Sequence, residues 1–108
     1  SDNFSNAAIF FSNALELSPN DTDIKIARAN ALMQLEMYAE SNTLLREISI
    51  GDKNYPAALF NIGVNYFNLN EKDLACDYWV QAKEIGHLQA EDATQRHCEK
   101  RLGRVKKW

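Results

Sequence analysis

Glycine is scarce in this sequence and is never clustered. The four glycines, Gly51, Gly63, Gly86 and Gly103, are isolated from one another. A phosphate-binding loop and a dinucleotide fingerprint each need several glycines close together, so neither is present. Long apolar runs are missing too, and none approaches the length of a membrane span. We therefore expect no bound cofactor and no membrane span, and the sequence leaves the compartment open.

Cysteine is equally scarce, because Cys76 and Cys98 are the only two. A disulfide framework would need more cysteines, and no CxxC pair or Cys/His spacing typical of a zinc site occurs. We therefore expect two free thiols and no metal site.

Groups of catalytic residues are also missing. Asp73 and Asp77 lie one helical turn apart, a spacing more typical of a solvated helix face than of paired catalytic carboxylates. His97 and Cys98 are adjacent, so on a helix their side chains point in different directions. No nucleophile, base and orienting group share a recognisable spacing. The sequence predicts a protein that is not an enzyme.

What the sequence does contain is helical periodicity. Residues 56–90 read as one helical hairpin, because apolar residues recur at three- and four-residue spacing on both sides of a turn at Asn70-Glu71. The first half of this stretch has Leu59, Ile62, Gly63, Tyr66 and Phe67, and the second has Leu74, Ala75, Tyr78, Trp79, Ala82 and Ile85.

The pattern recurs when the chain is shifted by 34 residues, the distance from Ser41 to Ala75. Four columns align, which hold in order a small residue, a large residue, a small or apolar residue, and a helix breaker. The three copies are Ala7, Phe11, Ala14 and Pro19, then Ser41, Leu45, Ile48 and Lys53, then Ala75, Trp79, Ala82 and His87. A period of this length built from two helices indicates a solenoid. The small column marks where helix backbones cross closely.

These columns resemble those of the tetratricopeptide repeat. The last hairpin also resembles Sel1-like repeats through Ala75, Trp79, Ala82, Gly86, His87 and Ala90. The spacing of 34 favours the tetratricopeptide assignment. The resemblance implies an all-α, right-handed solenoid of antiparallel hairpins with a capping helix. The middle copy departs most, because Arg28 replaces an apolar residue and Ser41 an alanine.

The repeat register divides a single domain, residues 1–108, into four parts. Residues 1–21 form the second helix of a partial repeat, 22–55 and 56–89 form repeats, and 90–108 form a capping helix and a basic tail. The expected helices are Asn3 to Leu17, Thr22 to Leu35, Tyr38 to Ser49, one beginning near Pro56, Lys72 to Ile85, and Leu88 to about Lys106. Further turns are expected at Glu36-Met37 and Gly86.

The first expected helix has no preceding partner in this register, as if the chain were cut from a longer array. Its column residues Ala7, Phe11 and Ala14 would then lack one packing surface. A bare apolar face at the end of a solenoid favours association, so a homodimer through these residues is one hypothesis.

The resemblance places a binding groove on the first helix of each hairpin. Phe60, Val64 and Phe67 would form an apolar floor, although packing of both aromatic rings against the last helix is an equal alternative. The amides of Asn30, Asn61 and Asn68 could bond a peptide backbone. The remaining groove residues are Ile26, Met33, Gln34, Thr94, Cys98 and Arg101. The predicted function is therefore a non-catalytic scaffold that binds a peptide or a partner helix.

Some members of the resembled family clamp the carboxylate of chaperone tails with lysines, an arginine and asparagines. Here the matching positions are Ile26, Asn30, Asn61, Glu91 and Gln95. Both asparagines are present but the cations are absent, and a carboxylate would meet Glu91. A chaperone-tail ligand is therefore not expected.

Charge is divided unevenly along the chain. Residues 1–94 hold 6 basic and 14 acidic residues, a net charge of −8, whereas residues 95–108 hold 6 basic and one acidic, a net charge of +5. The tail cations Arg101, Arg104, Lys106 and Lys107 could serve an adaptor for an anionic partner. Cations at a helix C-terminus are more often solvated and favoured by the helix dipole, so nucleic acid is not the expected partner.

Overall fold

The computed structural model describes residues 2–98, and every regular element within that range is a helix. The helices are α1 Asp2–Leu17, α2 Thr22–Gln34, α3 Tyr38–Leu45, α4 Tyr55–Asn68, α5 Lys72–Glu84 and α6 Leu88–His97. The molecule measures 52 × 30 × 18 Å along its principal axes, and each helix packs chiefly against its neighbours in sequence. The prediction of an all-α fold is confirmed.

Helices α2, α4 and α5 end in the same way. A left-handed residue follows each of them: Glu36 (φ 62°), Asn70 (φ 64°) and Gly86 (φ 94°). In each case the N–H of the next residue donates to a carbonyl oxygen five residues earlier, at 2.9 to 3.0 Å. This Schellman geometry satisfies carbonyl groups that a helix end leaves unbonded. The turns predicted at these three places are confirmed.

Helix starts follow from local side chains. The Asp21 carboxylate caps α2 by accepting a hydrogen bond from Ile24 N at 3.2 Å, and Pro56 lies in the first turn of α4, where its missing N–H is not needed. His87 caps α6, because its Nδ1 accepts a hydrogen bond from Ala90 N at 3.3 Å. The sequence marked His87 only as a turn residue.

One helix, α3, is shorter than predicted. α3 ends at Leu45 rather than Ser49, because the N–H groups of Glu47 and Ile48 donate three residues back instead of four. This tightened turn still buries the Ile48 side chain. α6 ends at His97 within the described residues, and Cys98, with a non-helical φ of −120°, forms its C-cap; the rest of the helix predicted to about Lys106 lies outside them.

The columns spaced by 34 residues form much of the core of the last two hairpins. The side chains of Ser41, Leu45, Ile48, Ala75, Trp79 and Ala82 are all buried. Their counterparts on α1, namely Ala7, Phe11 and Ala14, are only half-buried. Two other predicted core positions, Leu74 and Ile85, are exposed.

Polar groups stabilise the middle copy where its apolar pattern fails. The Ser41 hydroxyl donates to Ala29 O at 2.9 Å, and it accepts a hydrogen bond from Asn65 Nδ2 at 2.9 Å. Asn65 Nδ2 also donates to Asn42 Oδ1 at 2.7 Å. Ser41, Asn42 and Asn65 are all buried, so this network joins α3 to both α2 and α4 inside the fold.

The two cysteines form a disulfide bond, so the expectation of free thiols is wrong. Cys76 on α5 and Cys98 after α6 have Cα atoms 5.8 Å apart, although 22 residues separate them in sequence. Because α5 and α6 form a hairpin about Gly86, a residue early in α5 lies beside one at the end of α6. This pairing follows from the hairpin and not from a cysteine framework, which is why counting cysteines missed it.

Candidate functional site

The main candidate site is an open groove between α4 and α6, which we call the α4–α6 groove. Its volume is about 540 Å³. The side chains of α4 form one wall and, with the Trp79 ring of α5, the base, while those of α6 form the other wall. The lining residues are Phe60, Val64, Phe67, Trp79, Leu88, Gln89, Asp92, Ala93, Arg96 and His97.

The base of the groove is a packed aromatic cluster. The ring centroid of Trp79 lies 6.3 Å from that of Phe60 and 5.5 Å from that of Phe67. Trp79 Nε1 donates to Phe60 O at 3.2 Å, which fixes the indole against α4. These contacts hold the aromatic surface in place before any ligand arrives.

Gly63 is required for this arrangement. A Cβ atom at this position would lie 2.5 Å from Trp79 Cδ1 and Nε1, and 3.2 Å from the backbone oxygen of Ala75. Glycine therefore lets α5 approach α4 closely enough for the indole to lie across the helix. Ala75, a member of the small column, thus lies where two helix backbones approach closely, as predicted.

Two histidines border the aromatic cluster. The His87 ring stacks on Phe60 with centroids 4.7 Å apart, and the His97 ring packs 4.5 Å from Phe67 and 5.7 Å from Trp79. Burial lowers the pKa of His87, which favours the neutral ring that accepts the cap hydrogen bond from Ala90 N. The sequence assigned neither histidine to the groove, because their contacts with the aromatic rings depend on the packing of α6.

The α6 wall is polar and balanced in charge. Arg96 Nε lies 3.0 Å from Asp92 Oδ2, and both side chains are largely exposed. Gln89 adds an uncharged amide to the same wall. The groove thus presents aromatic and aliphatic surface from α4, and hydrogen-bonding groups of both charges from α6.

The predicted groove residues of α2 and α4 are placed in different ways. Asn61 Nδ2 donates to Asn30 Oδ1 at 3.1 Å, so these two amides bond each other across α2 and α4. Asn68 and Gln34 are exposed. Ile26 packs against the core and Met33 is half-buried.

Thr94 and Cys98, two of the groove residues predicted after α5, are not on the groove surface. Thr94 is fully buried, and its hydroxyl donates to Glu91 O at 2.8 Å. Cys98 is buried in the disulfide bond. Arg101 and the other tail cations lie outside the described residues. α6 instead turns Gln89, Asp92 and Arg96 toward the groove, a rotation that helical periodicity alone does not set.

A second cavity, of about 480 Å³, lies where the α3–α4 loop meets the end of α5. Its lining is mostly apolar and consists of Ile50, Gly51, Asp52, Tyr55, Pro56, Leu59, Gln81, Glu84 and Ile85. Two of these residues, Ile50 and Ile85, are exposed apolar side chains next to Gly51 and Gly86. Between residues 2 and 98 no three His, Cys, Asp or Glu side chains are grouped as a metal site would need. No helix in that range combines the length and apolarity needed to cross a membrane.

No protein-family model matches this sequence, and no curated protein is significantly similar to it.

Proposed function

We propose that this chain is a non-catalytic interaction module, built as a tetratricopeptide-like right-handed solenoid, that binds a segment of another protein in the α4–α6 groove. The observation that carries the proposal is the preformed aromatic base formed by Phe60, Phe67 and Trp79. An apolar surface of this size, already ordered, gains affinity without a large cost of ordering side chains.

The groove favours a chain segment with mixed chemistry. Its volume of about 540 Å³ suits one or two large apolar side chains, and it is open to solvent rather than enclosed. Asp92, Arg96 and Gln89 along one wall offer donors and acceptors for the backbone or polar side chains of the same segment. A peptide that places an aliphatic or aromatic residue among polar ones fits both walls.

Selection of peptides from a displayed random library on the full chain tests the proposal. We expect the selected peptides to share large apolar residues. Fluorescence anisotropy then compares their affinity for the wild type with that for Val64→Asp, which places a charge in the groove. Binding to Val64→Asp should be at least tenfold weaker, because burying an unpaired carboxylate opposes binding.

Val80→Asp is the matched control. Val80 is also half-buried but lies on α5 and does not line the groove. It should bind the selected peptides like the wild type, provided that both variants show the same helical circular dichroism. Peptides that bind Val64→Asp as tightly as the wild type would place the binding surface elsewhere and contradict the proposal.

A further inference from the structure

Helix α1 has a second apolar face, which we call the outer face, formed by Phe4, Phe10, Phe11, Ala14 and Leu17. At 3.6 residues per turn these five positions fall within a sector of about 140°. The neighbouring positions Ala8 and Leu15 pack into the core beside α2, as does Ala7, which lies within this sector. α1 is therefore apolar over more of its circumference than contact with α2 requires.

Within residues 2–98 this outer face is only partly buried. Phe4, Phe10 and Leu17 are 40%, 67% and 88% exposed. Phe11 is half-buried, whereas the side chains in the same column on α3 and α5, Leu45 and Trp79, are 1% and 3% exposed. The outer face thus has the chemistry of a buried helix surface but not the burial.

We propose that the outer face of α1 docks against the same face of a second copy of this chain, giving a homodimer with two-fold symmetry. This surface lies on α1 and shares no residue with the α4–α6 groove. The proposal is therefore independent of the proposed function.

Charge favours a second copy at this face. In a two-fold contact both copies use the same surface, so a charged patch would lie against the same patch of the partner and be repelled by it. Residues 1–94 hold 6 basic and 14 acidic residues, so most self-contacts would bring carboxylates together. The stretch from Asn3 to Leu15 contains no charged residue, and the one acidic residue near the end of α1, Glu16, lies on the side away from the outer face.

The area is also sufficient. With aromatic and aliphatic side chains of about 150–250 Å² each, the exposed apolar area of the outer face is about 400 Å². Homodimer interfaces are about 65% apolar, so this area corresponds to about 600 Å² per partner. Two copies would then bury about 1,200 Å², the lower end of the range for stable interfaces. A dimer that dissociates on dilution is expected.

Light scattering of the full chain across a dilution series measures this association. We expect the mass to rise from 12.3 kDa toward twice that value as concentration increases. Phe10→Glu places a carboxylate on the outer face, about halfway along α1 and near its own copy, and should raise the dissociation constant at least tenfold.

Ile9→Glu is the matched control. Ile9 lies on the same helix and is 61% exposed, similar to Phe10, but it faces the cavity beside Leu35 and Met37 rather than the outer face. This variant should dimerise like the wild type. Circular dichroism melts of both variants establish that each remains folded.

A charge exchange tests the symmetry of the contact. Phe10→Lys alone should dimerise as weakly as Phe10→Glu. An equimolar mixture of the two variants should form heterodimers, because position 10 lies near the middle of α1 and faces its own copy, so the opposite charges attract. A chain that stays monomeric at every concentration would overturn the proposal. A dimer that Phe10→Glu leaves intact would also overturn it, since the contact would then lie on another surface.

Discussion

At the scale of single residues, Gly63 shows how one missing Cβ atom determines a helix crossing. Alanine has the higher helix propensity by about 1 kcal/mol, so an isolated helix would favour it here. The indole of Trp79 occupies the space that a methyl group would need, with 2.5 Å between the added Cβ and the ring. Packing therefore opposes helix propensity at this position. Glycine is needed because α5 packs closely against it, and not because of the conformation of α4 itself.

We predict that Gly63→Ala destabilises the protein by about 1 kcal/mol or more, because overpacking typically costs about 1–3 kcal/mol and exceeds the propensity gain. Urea unfolding followed by circular dichroism measures the loss. The same substitution in a Trp79→Phe background should cost less, because the smaller ring leaves room for the methyl group. Equal losses in both backgrounds would show that the indole is not the obstacle.

His87 is a second residue whose role depends on its partners. Its Nδ1 can accept the hydrogen bond from Ala90 N only while that nitrogen is unprotonated. Burial lowers the pKa of His87 below its usual value of 6.5 in the folded protein. The unfolded chain therefore takes up the proton first as pH falls, and the stability that His87 contributes is present above pH 6.5 and decreases below it.

We predict that the stability of the wild type declines as pH falls from 6.5 toward the lowered pKa of His87. His87→Asn should keep the helix cap through its amide oxygen and lose this part of the pH dependence. Thermal melts of both proteins between pH 7 and pH 5 measure the difference, and His97 is present in both. Parallel curves for the two proteins would mean that the cap does not depend on the protonation of His87.

At the scale of elements, α6 is a short helix whose position depends on a covalent bond. α6 spans Leu88–His97 and packs chiefly against α5, with Ala90, Ala93 and Thr94 as its buried positions. Isolated helices of this length are marginal in water. The Cys76–Cys98 disulfide closes a loop with a sequence separation of 22 at the far end of the helix. Because α6 supplies one wall of the α4–α6 groove, this bond also stabilises the proposed binding surface.

We predict that replacing both cysteines by serine destabilises the α5–α6 hairpin by about 3 kcal/mol, the value that loop closure gives for a loop of this length. Hydrogen exchange should increase in α6 first, while α2 and α3 keep their protection, because α6 is the outermost of these helices. Alkylation and mass spectrometry without reductant show whether the bond is formed. Unchanged exchange in α6 would mean that noncovalent packing alone holds it.

The bond also concerns the environment of the chain. Disulfides persist where thiols are oxidised, so the wild type is expected to be most stable under oxidising conditions. Added dithiothreitol should not change the stability of the double serine variant. The stability of the wild type should fall on reduction and approach that of the variant. This comparison separates the effect of the bond from that of the serine side chains.

At the scale of the whole molecule, the two proposed surfaces lie on different helices. The α4–α6 groove lies between α4 and α6, and the outer face belongs to α1. Val64→Asp should therefore leave the dimer mass unchanged, and Phe10→Glu should leave peptide affinity unchanged. A chain with both properties could present two grooves in one dimer, which raises the effective concentration for a partner with two binding segments.

The sequence by itself determined the helices and most of their ends. Amphipathic spacing and the turn residues Glu36, Asn70 and Gly86 act over four to six neighbouring residues, so they can be read without knowing the fold. The small and large columns of the repeat also identified Ala75, Trp79 and Ala82 as core. Phe60, Val64 and Phe67 share one side of a single helix, as their spacing indicates, and their part in binding a partner stays a prediction.

Only the tertiary structure decided how these helices rotate and which distant residues meet. It paired Cys76 with Cys98, buried Thr94 and placed both histidines against the aromatic rings. It also left Phe4, Phe10 and Leu17 exposed, in addition to the α1 residues that the 34-residue pattern identified as lacking a packing surface, namely Ala7, Phe11 and Ala14. Each of these outcomes depends on the angle and register between two helices. Many side chains set that geometry together, and no local pattern records it.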